Sequence, residues 1–278
     1  RIKLAAGSIG GAKISLNKAI TYGIERKQFG KSIAEFAAMK HKMGEMARKI
    51  FAAESAIYRT GKNIDSKESE LKNEGKSENE VKLEALREFA IECAMMKVYS
   101  TEVLDYCVDE SLQIHGGMGY SVETGVEMGY RDARITRIYE GTNEINRMLA
   151  FAELMKRAFK TKELNLKEAG KKIPITLLKR FLGMQKLTSE KVIENYKHLF
   201  LILSKYAFDS FGMELENEQE IIMNLSDILT ETYVAESVYL RVNKLKEQKG
   251  SNGTIQQKEN VLALQLYEAN IKIVHCAN

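Results

Sequence analysis

Proline is the residue that a helix interior tolerates least, and this chain has one, Pro174, among 278 residues. Nothing else in the sequence narrows the fold as strongly. Phe36, Met39, Met43, Met46, Ile50, Ala53 and Ile57 recur at alternating steps of three and four. That spacing is the seam of a left-handed helix bundle, and a methionine-rich stripe on it is core. Ile221, Leu225, Ile228, Thr232, Ala235, Tyr239 and Val242 repeat the pattern far downstream. The expected class is all-α: an up-down four-helix bundle over residues 1–157, then a second helical unit over 158–278.

The first helix is predicted over Ile2–Tyr22, with Ile9, Ala12, Leu16 and Ala19 on one face. Gly7, Gly10 and Gly11 have no strand before them and no Lys-Ser/Thr after them, so they mark close helix packing and not a phosphate loop. Ser32 and Glu35 form an S-x-x-E box that should open the next helix. The charged run 63–80 reads as a solvated loop or frayed helix ends. A third helix is expected from Val81 to Ile114, turning Leu86, Phe89, Cys93, Met96, Val103 and Cys107 inward. Gly116-Gly117 should stop it, one of them in the left-handed conformation of a C-cap. Ile135 and Ile138 supply the last buried positions before a turn, and a fourth helix begins after Thr142 and reaches about Phe159. Residues 156–191 are basic and amphipathic, either a linker packed on its neighbours or a candidate for peripheral contact with a membrane surface. Helices over Ile193–Phe211, around 221–242, and lined by Val261, Leu264, Tyr267 and Ile271 complete the chain.

Composition removes several function classes. The 42 basic and 38 acidic residues are interleaved, giving a net charge of +4, which argues against a nucleic-acid partner. Cys93, Cys107 and Cys276 lack metal or CxxC spacing and read as thiols of a reducing compartment, bacterial cytoplasm or mitochondrial matrix. The four histidines are scattered, so no metal site is expected. No apolar run is long enough to span a bilayer. The chain opens at Arg1 in what reads as a first helical turn, as an excised C-terminal piece of a longer protein would.

The stretch richest in chemistry is Arg131–Asn146, RDARITRIYEGTNEIN. Tyr139-Glu140-Gly141-Thr142 interrupts the helical spacing, and Thr142 is placed to cap the helix that follows. A carboxylate just before a helix start is favoured by the helix dipole, which is reason enough for Glu140 without any catalytic role. The wording of the turn adds more. QIHGGMGY (Gln113–Tyr120), RDARITRIYEGTNEI and, upstream, ERKQFGKSI (Glu25–Ile33) stand in register over about half the chain. Together they resemble the C-terminal half of the acyl-CoA dehydrogenases.

That resemblance implies α,β-dehydrogenation of an acyl-CoA thioester, with the α-proton taken by a base and the β-hydride passing to FAD. Two things must be supplied: a carboxylate at the α-carbon, and hydrogen bonds to the thioester oxygen where charge develops. The resemblance makes Glu140 the base, with its own N–H donating to the thioester. Tyr139 would line the pocket, Gly141 would leave room for acyl chain and flavin, and Arg1 matches a substrate-site arginine. Arg26, Gln28 and Phe29 match the segment that reaches the FAD of a neighbouring subunit. The arginine's planar fork suits a pyrophosphate. Arg26 would serve equally as a helix C-terminal cation, and Phe29 as core. Gln113, Gly116 and Gly117 match an adenine-side strip where backbone approaches the cofactor, and Thr142 and Glu144 match the turn after the base. Phe36-Ala37 departs from the His-Gln or Phe-Gln pair of many members, so one flavin contact is lost.

Short- and medium-chain members end soon after the fourth helix. The longer tail is similar to that of the very-long-chain acyl-CoA dehydrogenases and, more distantly, the acyl-CoA oxidases. It implies a homodimer that passes electrons to electron-transfer flavoprotein. The family's N-terminal helical and middle β-domains are absent from these residues, so the 278 residues alone are expected to bind FAD poorly and not turn over. The rivals are an acyl-CoA oxidase, which reduces oxygen, and a non-catalytic helical module for assembly or membrane docking.

Overall fold

A computed structural model describes residues 1–161, 187–249 and 253–278, and these are almost entirely helical. Contacts divide the chain into two compact units, Arg1–Asn146 and Arg147–Asn278. Most of the basic stretch expected at 156–191 lies outside the described residues.

In the first unit α1 (Ile2–Glu25), α2 (Ala37–Asn73) and α4 (Ala90–His115) run up, down and up. Four pairings fix these directions: Lys13 with Glu54, Lys42 with Glu110, Gly11 against Leu104, and the Tyr22 ring stacked 4.2 Å from that of His115. Helix α4 is the centre, with every residue from Cys93 to Thr101 buried. Each apolar side chain buried there stabilises the fold by roughly 1.5–3 kcal/mol. The predicted seam of α2 faces this core, with Met46 and Ala53 fully buried. On α1, Ala5, Ala12 and Ala19 are fully buried, so the helix can lie close to α4. Of the three early glycines only Gly11 packs closely, a Cβ there standing 3.0 Å from Leu104 Cδ1. Gly7 and Gly10 have open space and do not serve that purpose.

Two strands, β1 (Lys27–Gln28) and β2 (Lys31–Ser32), form an antiparallel hairpin between α1 and α2. Its loop, Phe29-Gly30, takes the consecutive positive φ values (52° and 83°) that a tight two-residue hairpin needs. The Ser32–Glu35 box is present, but it caps a 3₁₀ turn, Ile33–Glu35, and α2 starts after it.

Other boundaries differ from expectation. The charged run 63–80 is mostly helix, because Ile64 and Leu71 anchor α2 against Val81, Ala85 and Cys93 while Lys67 and Glu70 pair on its wet side. The third helix is two, α3 (Glu78–Glu88) and α4, parted where Phe89 leaves helical geometry at φ −102°, ψ 27°. Leu86, on α3, consequently points outward. A four-residue turn of helix, α5 (Gly117–Tyr120), precedes α6 (Val126–Ile135), and α7 (Asn143–Thr161) follows the turn.

Burial pushes the Cys107 thiol up to about 12, Lys49 opposing and Glu110 adding to the shift. A thiol pKa raised on folding favours the native state below the unfolded value near 9. That preference drains away as pH climbs from there towards about 12. Stability should therefore fall in alkali. Native Cys107 should also alkylate at pH 9 far more slowly than the unfolded chain, as read by mass spectrometry.

The second unit contains α8 (Ser189–Phe211), α9 (Gln219–Lys249) and α10 (Gly253–Ala277). Thr188 caps α8, its Oγ accepting from the Lys191 N–H at 3.3 Å. The predicted seam of α9 is its buried face, Leu225, Ile228, Thr232, Ala235 and Val242 included. The Tyr196 hydroxyl donates to the Leu266 carbonyl at 2.8 Å, and Arg147 meets Asp227 at 2.7 Å. On α10 the expected face is wrong: Leu264, Tyr267 and Ile271 are exposed, while Leu262, Leu266, Ala269 and Ile273 are buried. Both rows satisfy three-four spacing, and only packing chooses between them.

Candidate active site

Helix α6 returns antiparallel along α4, since Val126 and Gly129 lie near Val108 and Ser111 while Arg137 pairs with Asp105 at 2.9 Å. This return delivers Tyr139–Thr142 beside the first turns of α4. Ile135 and Ile138 are about half exposed, against the expectation that they would be buried. They line an open groove of about 690 Å³ with Leu112, Tyr120, Tyr130 and Arg134, because α6 covers α4 with its other face, through Val126 and Ala133.

At the turn, Glu140 is exposed and has φ +60°, one of two non-glycine residues with positive φ among those described. Such a residue costs of order 1–3 kcal/mol and persists only where its surroundings impose it. Gly141 follows at φ +82°. Thr142 Oγ accepts from the Ile145 N–H at 3.3 Å, which is the predicted cap. No described residue accepts a hydrogen bond from the Glu140 N–H. Tyr139 is 43% exposed, and Glu144 is exposed on the first turn of α7.

What holds the turn was not visible in the motif. Lys97 is fully buried in α4, and its ammonium donates to the Gly141 carbonyl and to Asn143 Oδ1, both at 2.8 Å. The Asn146 amide donates to the Gly141 carbonyl at 2.7 Å and to that of Thr142 at 3.0 Å. Asn143 also donates to Thr101 Oγ at 3.1 Å, and its N–H to the Arg137 carbonyl at 3.1 Å. Burial pushes Lys97 below the usual lysine range; Glu144 opposes, Arg1 adds to the shift, and Glu102 and Glu140 oppose. Arg1, exposed at the start of α1, thus belongs electrostatically to this end of the unit. The sequence did carry one signal for Lys97: a lone cation in the apolar stretch Cys93–Ser100.

The other predicted residues gather at the far end. Gln113 lies sixteen residues beyond Lys97, about 24 Å along the axis at 1.5 Å per residue. Gln113, Gly116 and Gly117 are exposed at the end of α4, where Gly116 takes a positive φ of 59° with ψ −141°, outside the left-handed helical region expected of one glycine there. Nothing stands within 4 Å of a Cβ built at either glycine, so the backbone is open to approach. Arg26 ends α1, exposed, in the position that suits either of its roles. Gln28 is exposed, and Phe29 is 90% exposed at the hairpin tip, which removes the reading of Phe29 as core. The structure therefore joins Glu140, Gly141, Thr142, Glu144, Tyr139 and Arg1 at one end, and Arg26, Gln28, Phe29, Gln113, Gly116 and Gly117 at the other.

Residues 1–155 match the family model described as acyl-CoA dehydrogenase, C-terminal domain, and residues 195–277 match a second model of the same description. A probable acyl-CoA dehydrogenase of Bacillus subtilis is 37% identical over 92% of this chain and 44% of its own length. The bovine mitochondrial very long-chain specific acyl-CoA dehydrogenase is 28% identical over 88% of the chain and 38% of its own. The crystal structure of a Bacillus anthracis acyl-CoA dehydrogenase complexed with FAD superposes with a TM-score of 0.89 at 36% identity. It covers all of this chain and 47% of its own. The chain spans less than half the length of each of these relatives. No described helix is long and apolar enough to cross a membrane. The chain belongs to the acyl-CoA dehydrogenase family.

Proposed function

We propose that this chain supplies the base and part of the cofactor site of an FAD-dependent acyl-CoA dehydrogenase that converts long-chain acyl-CoA to trans-2-enoyl-CoA in fatty acid β-oxidation. The observation that carries the reading is Glu140, exposed and held at φ +60° on a turn fastened from two helices. A strained, non-glycine φ at an open turn is the kind of outlier from which function is inferred. Glu140 takes the α-proton, and the electron pair of the broken C–H bond becomes the Cα–Cβ π bond as the β-hydride departs. The N–H of Glu140, engaged by no described acceptor, donates to the thioester oxygen as charge gathers there.

FAD, when bound, supplies the acceptor for the hydride. The residues present fit such a cofactor: bare glycine backbone at Gly116-Gly117, the Arg26 guanidinium near the same end, and the aromatic tip Phe29. Thr142 and Glu144 would meet it at the base's end. The separation of the two clusters supports a site completed by the neighbouring subunit of a homodimer, with electron-transfer flavoprotein as acceptor. The 278 residues alone should hold FAD weakly. Preference for long acyl chains is supported by the tail, which aligns with the bovine very long-chain enzyme.

The test uses the whole flavoprotein that carries this chain. Incubated with palmitoyl-CoA and an artificial electron acceptor, it should yield a product two hydrogens lighter with a trans-2 double bond, as read by mass spectrometry and NMR. Unchanged palmitoyl-CoA would refute the activity. Stoichiometric hydrogen peroxide in air would move the assignment to an acyl-CoA oxidase.

A further inference from the structure

Resting on the assignment of Glu140 as the base, we propose that Lys97 is a positioning residue: with Asn146 it holds the Gly141 carbonyl, through Asn143 it fastens the start of α7, and so it keeps Glu140 aimed at the substrate. A lysine with no exposed surface needs a reason, because an ammonium out of water is costly unless its donors are met. Packing supplies none. Met95, Met96 and Val98 surround it in sequence and are buried beside it, and a methionine would fill the same space. Its hydrogen bonds do supply one. The two acceptors, the Gly141 carbonyl and Asn143 Oδ1, belong to the turn and to the first residue of α7, across a gap of more than forty residues.

The Gly141 carbonyl has two lone pairs, and two donors occupy them, Lys97 from α4 at 2.8 Å and Asn146 from α7 at 2.7 Å. The peptide that follows two consecutive positive-φ residues, Glu140 and Gly141, is thereby fixed from two helices. Asn143 is itself braced by Thr101, one turn along α4 from Lys97. Without Lys97 the strained φ of Glu140 loses one of its two restraints. The turn relaxes, and the carboxylate and its N–H swing together. A misplacement of about 1 Å at a reacting group can cost roughly 100-fold in rate. Lys97 touches neither substrate nor reacting atoms, so it acts through Glu140.

The experiment uses the whole flavoprotein with Lys97→Met, Asn143→Ala and Glu140→Gln, each measured per bound FAD. Lys97→Met keeps side-chain length and removes the donor. It should retain flavin, keep KM for palmitoyl-CoA within about threefold, and lose kcat by about 100-fold. Deuterium at the α-carbon should slow it more than it slows the unaltered protein, because proton removal alone has become harder. Asn143→Ala should show the same pattern at about tenfold. Unaltered kcat per bound flavin in Lys97→Met, or a loss that tracks flavin content alone, would overturn the proposal. If Lys97→Met does not fold, an unaltered kcat in Asn143→Ala overturns it instead. Full turnover by Glu140→Gln would sink the base assignment itself, a result that none of the other variants can mimic.

Discussion

Glu140→Gln is expected to leave flavin content and acyl-CoA binding nearly intact while lowering kcat by about 10³-fold, within the range that general base catalysis supplies. Glutamine keeps the shape and the backbone N–H of the turn and removes only the capacity to accept a proton. It also keeps the strain: the substituted residue would inherit the positive φ that Glu140 carries, since Lys97 and Asn146 hold the next carbonyl whatever the side chain. The exposure of Glu140 makes large destabilisation unexpected. Steady-state kinetics with palmitoyl-CoA beside a thermal melt would check both halves. A loss of activity accompanied by a large drop in Tm would mean that the carboxylate holds the fold and does no chemistry.

The second large effect is expected at Gly119, in the glycine-rich strip but outside the residues singled out from the sequence. Gly119 is buried, and a Cβ there would stand 2.4 Å from the Leu112 carbonyl oxygen and 2.9 Å from His115 Cβ. The first of these is backbone of α4 and cannot yield, so Gly119→Ala must displace α5. Overpacking of this kind costs about 1–3 kcal/mol, sometimes more. Because α5 begins at Gly117, the shift reaches the strip that would take the flavin's adenine end, and FAD content should fall with stability. Gly117→Ala is the matched control when both variants are melted free of flavin: nothing lies within 4 Å of its Cβ, and its φ is not positive. It should melt within about 0.5 kcal/mol of the parent, as open surface substitutions do. Equal melting of the two variants would contradict this account of the strip.

The helices, their order and the turn were legible because each rests on a local rule. Three-four spacing wrote the seams of α2 and α9, and Thr142 capped α7 as its hydroxyl required. Where local rules allowed more than one answer, local reading failed. Helix α10 offers two apolar rows, and Leu264, Tyr267 and Ile271 turned out to be the wet one. The charge of residues 63–80 suggested a loop, whereas Ile64 and Leu71, two widely spaced anchors, were enough to carry the helix on. Ile135 and Ile138 look like core by type and line an open groove. The site divides in the same way. The turn that carries Glu140, with its Thr142 cap, could be read from the order of residues, but Lys97 serves that turn from a helix 44 residues earlier. A lysine's usual meaning is solvent, so only its burial reveals the task.

The most direct measurement is rapid anaerobic mixing of the whole flavoprotein with palmitoyl-CoA, following the flavin's visible absorption, with Glu140→Gln run alongside. Fast bleaching in the unaltered protein, and none on the same timescale in the variant, is the predicted result. Equal bleaching in both would place the base elsewhere and contradict the central assignment.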